Sequence, residues 1–153
     1  MKNNKFFKLL LLETVAVIGI GTYFFVDSAD IYKLFMGETE FYQQSPTCDL
    51  HLSSCKIEIP ELATLEFQIE PKSIPLMEKL TFTVKSNIDT DELDLHIYAT
   101  NMNMGYHSFT LKKVAPKTYK AEGILPTCTV GGMIWNAEVV SGNKGGVFTF
   151  QTK

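Results

Sequence analysis

Apolar and polar residues follow two different rules along this chain. From Leu9 to Val26 apolar residues run almost without a break. Beyond Cys48 they alternate with polar ones in short segments: Lys56-Ile57-Glu58-Ile59, Leu65-Glu66-Phe67-Gln68-Ile69-Glu70, Leu80-Thr81-Phe82-Thr83-Val84-Lys85 and Leu93-Asp94-Leu95-His96-Ile97-Tyr98. The pattern continues through Phe109-Thr110-Leu111, Tyr119-Lys120-Ala121-Glu122, residues 134–140 and Val147-Phe148-Thr149-Phe150. Alternation sends every second side chain to one face, the mark of half-buried antiparallel strands. Turn formers separate the segments: Pro60, Pro71, Pro75, Asn87, Pro116, Gly123, Pro126, Gly131-Gly132 and Ser141-Gly142-Asn143. About seven or eight short strands so spaced predict an all-β domain over residues 48–153, an immunoglobulin-like antiparallel sandwich, with Trp135 in its core.

The N-terminal run predicts one transmembrane helix over residues 9–26. With Phe6 and Phe7 it approaches the roughly 20 residues needed to cross a hydrocarbon core. Lys2, Lys5 and Lys8 precede it, and Asp27 and Asp30 follow it. The positive-inside rule therefore places residues 1–8 as a cytoplasmic tip and the β domain outside the cytoplasm. A cleaved signal peptide has a shorter apolar core ending at small residues, whereas this run ends in Tyr23-Phe24-Phe25-Val26. Glu13 lies within the span, near its cytoplasmic end, where pairing with Lys8 or a partner helix is the simplest reading. Residues 27–47 read as a juxtamembrane stalk.

Composition narrows the function. The chain has 153 residues, net charge −3 and three cysteines. About 120 residues outside the anchor suffice for one modest core. Lysines and acids are interspersed, so no nucleic-acid surface is expected. Cys48, Cys55 and Cys128 all follow the anchor, and an oxidising compartment should pair two of them. Three pairings exist; proximity favours Cys48–Cys55 and leaves Cys128 free. No catalytic elbow, phosphate loop, Cys-x-x-Cys or zinc helix motif occurs, and no enzyme is expected.

One stretch carries candidate chemistry. In Asn101-Met102-Asn103-Met104-Gly105-Tyr106-His107, Met102 and Met104 are two apart and point to one side of an extended chain. Thioethers are soft ligands that suit Cu(I). His107 or His96 could add an imidazole nitrogen. Cys128 and Met133 flank a glycine-rich turn farther on and are further candidates. Against this stands ordinary packing, since methionine is a common core filler. A redox role for Cys128 is disfavoured, because no basic neighbour is in view to activate the thiol.

A short cytoplasmic tip, one anchor and an exported β domain resemble the FixH-like and YtkA-like membrane-anchored periplasmic proteins. Asn101-Met102-Asn103-Met104-Gly105 resembles their Met-Pro-Met-x-Gly motif, with Asn103 in place of the usual proline and with additional cysteines. Tyr119-Lys120-Ala121 and residues 133–139 resemble that family's final strands. Cys48-x6-Cys55, the Met102–Met104 loop, Leu125-Pro126-Thr127-Cys128 and Met133-x-Trp135 look closest to a group of uncharacterised bacterial inner-membrane proteins. The resemblance implies a role in copper handling or cytochrome oxidase assembly, with a respiratory oxidase subunit or copper chaperone as partner. The other expectation is a metal-free interaction module that docks a membrane partner.

Overall fold

The computed structural model describes residues 8, 10–18, 39–128 and 131–152. The chain divides into two units, residues 1–35 and 36–153. In the first, residues 10–18 are helical, and Leu10, Leu11, Leu12, Val15, Val17 and Ile18 are exposed. The Thr14 hydroxyl donates to the Leu10 carbonyl one turn back, at 2.8 Å. No described helix is long and apolar enough to cross a membrane. Of the anchor expected over 9–26, residues 9 and 19–26 lie outside the described residues, as do residues 27–38 of the 27–47 stalk.

The second unit is all-β. Its described strands are β1 (Glu40–Gln43), β2 (Cys55–Ile59), β3 (Ala63–Glu70), β4 (Lys79–Ser86), β5 (Glu92–Ala99), β6 (Tyr106–Ala115), β7 (Thr118–Ile124), β8 (Met133–Ser141) and β9 (Lys144–Thr152). They form one hydrogen-bonded sheet in the order β1-β9-β8-β5-β6-β7-β4-β3-β2. The edge strands β1 and β2 come back into contact, so the sheet curls almost into a barrel. Each of the eight alternating segments in the sequence falls on one of β2–β9.

β1 lies within the stretch read as stalk. It pairs with β9 in parallel, Phe41 opposite Gly145, whereas the other strand pairs are antiparallel. Glycine at 145 is what lets Phe41 lie flat: a Cβ there would stand 2.8 Å from the Phe41 ring. Four residues without an alternating apolar run give this strand no signature of its own.

The inward faces build one core. Leu93, Leu95 and Ile97 of β5 and Met133, Trp135, Ala137 and Val139 of β8 are buried, as the alternation requires. Phe67 packs against Phe148 at 5.0 Å and Phe82 at 6.4 Å between ring centroids. Trp135 is fully buried, as expected, and its indole N–H donates to Thr152 Oγ1 at 2.9 Å, so its polar atom is satisfied. Tyr119 is also fully buried; its hydroxyl meets the carbonyls of Ile88 and Thr90 at 2.7 and 3.0 Å.

Candidate soft-metal site

The antiparallel registers bring the end of β3, the start of β4, the end of β5, the start of β6, the end of β7 and the start of β8 to one end of the domain. The described residues of the connections between them, 71–78, 100–105, 125–128 and 131–132, therefore share that end. Every methionine among the described residues lies there: Met77, Met102, Met104 and Met133.

The Met102–Met104 loop and the Cys128–Met133 turn meet. Asn101 joins them: its Nδ2 donates to the Gly132 carbonyl at 2.8 Å, and its Oδ1 accepts the Ile134 N–H at 3.0 Å. The Thr100 N–H donates to the Ile134 carbonyl at 2.8 Å. Within the loop, Asn103 Oδ1 accepts the Gly105 N–H at 3.2 Å. Gly105 has φ +79°, a conformation that costs glycine little. Asn103 thus makes a side-chain-closed turn.

Burial alternates along the loop. Asn101, Asn103 and Gly105 are exposed, while Met102 and Met104 are half-buried and pack against the core. Both methionines therefore lie against the core margin while the residues between and beside them face water. His107 Nε2 lies 3.2 Å from the Met104 carbonyl, and its ring is 6.4 Å from Trp135. An Nε2–H donating to that carbonyl leaves Nδ1 as the ring's lone-pair nitrogen. Cys128 is the free cysteine, half-buried against the core, and its carbonyl accepts the Gly131 N–H at 3.2 Å. Met133 is fully buried. Its sulfur belongs to the core, whereas Met102, Met104 and Cys128 lie at its margin.

Met77 has no periodic signal in the sequence. It sits after Pro75-Leu76 with φ +60° and 62% exposure, and its N–H donates to the Leu125 carbonyl at 2.8 Å. That bond ties a further thioether to the strand exit that leads to Cys128. Among the described residues no three His, Cys, Asp or Glu side chains gather as a metal cluster. Sulfur from methionine is the donor type that this end concentrates.

Cys48 and Cys55 stand at disulfide distance, Cα–Cα 5.8 Å. Between them His51 is held by two backbone carbonyls, Lys72 at 2.9 Å and Gln151 at 2.7 Å. A carbonyl only accepts, so a neutral His51 ring donates to one of the two and an imidazolium to both; either way it clasps two segments together. A cleft of about 720 Å³ runs beside it, lined in part by Gln44, Cys48, Asp49, Ile134 and Phe150.

His96 lies on the other face of β5 from the buried Leu95 and Ile97. It lies on the outward side of β5, 5% exposed, with Nδ1 3.1 Å from Ser108 Oγ and its ring 5.2 Å from Tyr106. Burial lowers its pKa, and Asp94 partly opposes that shift. Beside it the Tyr98 hydroxyl donates to Glu138 Oε1 at 2.6 Å. Burial, then this bond, pushes the Tyr98 pKa up to about 12.

No family model matches the chain, and no similar curated protein or solved structure is found.

Proposed function

We propose that this chain is a non-enzymatic, membrane-anchored accessory protein of the bacterial periplasm that binds copper transiently as Cu(I). Its place is copper handling or cytochrome oxidase assembly, beside a respiratory oxidase subunit or a copper chaperone. The observation that carries the reading is the Asn101 bridge, which brings the Met102–Met104 loop against the turn that follows Cys128. Met102 and Met104 are the thioether ligands, and His107 and Cys128 are the third donors within the same end of the fold. Met133 contributes through packing. The resemblance to FixH-like and YtkA-like proteins supports the same reading, as do the anchor and its flanking charges. A tether holds the domain where oxidase subunits mature and raises its effective concentration there.

The β domain is read as an immunoglobulin-like sandwich. What supports this is the short β6–β7 pairing, from Lys112 opposite Lys120 to Ala115 opposite Thr118, which is the narrowest seam in the single curled sheet.

One observation favours the other reading, a metal-free interaction module. Met133 is fully buried, and Met102 and Met104 also touch the core, as packing methionines do. Titration of the full-length chain with Cu(I), reduced and free of oxygen, separates the two. Stoichiometric binding supports the copper reading; a chain that takes up no Cu(I) is the module.

A further inference from the structure

Strand β6 has an edge that the fold leaves open. Along one side Tyr106–Lys112 pair with β5. Along the other, pairing with β7 begins only at Lys112 opposite Lys120. Across the gap, Ala121–Ile124 are paired with β4. The two strands part from their hairpin toward the methionine-rich end. Phe109 is the wedge: its ring lies on Gly123, where any Cβ would collide with it, and packs on Phe82 at 5.2 Å.

Over this wedge runs a groove of about 610 Å³, walled by Ser108, Thr110 and Lys112 on one side and Thr81, Lys120 and Glu122 on the other. Its charge is lopsided. Glu122 is paired with Lys79 at 2.8 Å, while Lys112 and Lys120 face each other with no ion pair within 4 Å among the described residues; Glu92 stands opposite Lys112 on the β5 side, and Lys120 has Thr83 on its β4 side. Like charges directly opposed on a sheet are destabilising, and a carboxylate placed between them relieves the repulsion. Exposed Val114 and Ile124, on β6 and β7, add apolar surface near the groove's two ends.

We propose that the open β6 edge, with Lys112 and Lys120, is a docking site for an extended acidic segment of a partner protein, which adds to the sheet as a further strand. Backbone bonds along Ser108–Thr110 give affinity, and the lysine pair selects an acidic side chain, as in other strand-addition sites. A second copy of this chain meeting edge to edge would set the same lysines against each other, so charge argues against it. The site does not depend on copper: a chain that binds no metal still has this open edge.

The probe is a labelled peptide of alternating threonine and glutamate, about six residues long to span the roughly 17 Å of edge, against a matched peptide of threonine and lysine. The full-length chain should bind the acidic peptide and not the basic one. Lys112→Glu combined with Lys120→Glu should weaken binding at least tenfold, and Lys112→Gln with Lys120→Gln should weaken it less. Amide exchange at residues 108–110 should slow on binding. The neutral pair keeps the test open if the charge-reversed chain does not fold. Equal binding of both peptides, no binding of the acidic one, protection elsewhere than 108–110, or self-association through this edge each overturns the proposal.

Discussion

Asn101 holds Gly132 across a sequence gap of 31 residues, its side-chain N–H 2.8 Å from the Gly132 carbonyl. With the second bond to the Ile134 N–H, one amide fixes the distance between two loops that carry sulfur. Asn101→Ala removes both bonds, and exposed bonds of this kind contribute about 0.5–1.5 kcal/mol each. The variant should unfold at a lower urea midpoint, by about 1–2 kcal/mol, and bind Cu(I) roughly tenfold more weakly, about 1.4 kcal/mol. Unchanged copper affinity in a destabilised variant would show that the two loops do not share a ligand set.

The disulfide is testable by mass. Under non-reducing conditions the Cys48 and Cys55 peptides should run as one crosslinked species, with Cys128 alkylated in the denatured chain. Replacing Cys48 and Cys55 together by alanine should cost about 2–3 kcal/mol, the loop-closure value for so short a loop. Cys128 found in the crosslink would remove it from the copper ligands.

The strands were legible because one face of each is buried: Leu93, Leu95 and Ile97 face the core while Glu92 and Asp94 face water. Pairing order was not legible, since alternation says which face is inside and not which neighbour lies alongside. That is why the part-open β6–β7 seam and the parallel β1 had no trace in the pattern. In the candidate site, Met102 and Met104 could be read from their spacing alone. Their meeting with the Cys128 turn could not, because it rests on Asn101 bonds to residues 31 and 33 positions away. Met77 was silent for a different reason: a loop residue fixed by one backbone bond leaves no periodic mark.

The proposed topology rests on charge. With Lys2, Lys5 and Lys8 before the apolar run and Asp27 and Asp30 after it, protease added to spheroplasts should digest the β domain and leave the N-terminal segment in the membrane. A domain protected from protease would place it on the cytoplasmic side and remove the copper compartment from the argument.

Alkaline titration reads the Tyr98–Glu138 bond. The folded state keeps the Tyr98 proton up to about pH 12, whereas an unfolded tyrosine gives it up near 10. A folded-state pKa raised in this way adds stability that is complete below pH 10 and is lost as pH rises from 10 toward 12. Ultraviolet absorbance of tyrosinate should show a late-ionising residue, and Tyr98→Phe should remove it and flatten the loss of stability over that window. A late phase that persists in Tyr98→Phe belongs to another tyrosine.

The copper reading stands or falls on the two thioethers of the Met102–Met104 loop. Met102→Leu combined with Met104→Leu keeps volume and apolarity, and such swaps usually cost less than about 1.5 kcal/mol each. Both side chains lie at the core margin rather than inside it, so the double variant should stay folded, with the same far-ultraviolet circular dichroism and nearly the same urea midpoint. If Met102 and Met104 are ligands, its Cu(I) affinity should fall by at least a hundredfold, because the two sulfurs that remain nearby, Met77 and Cys128, are anchored to the other loops. Leucine at Met133 is the control: that side chain is fully buried, so Met133→Leu should leave copper binding unchanged. Equal copper binding by wild type and the Met102/Met104 variant would make both methionines packing residues, and the interaction module would be the reading that remains.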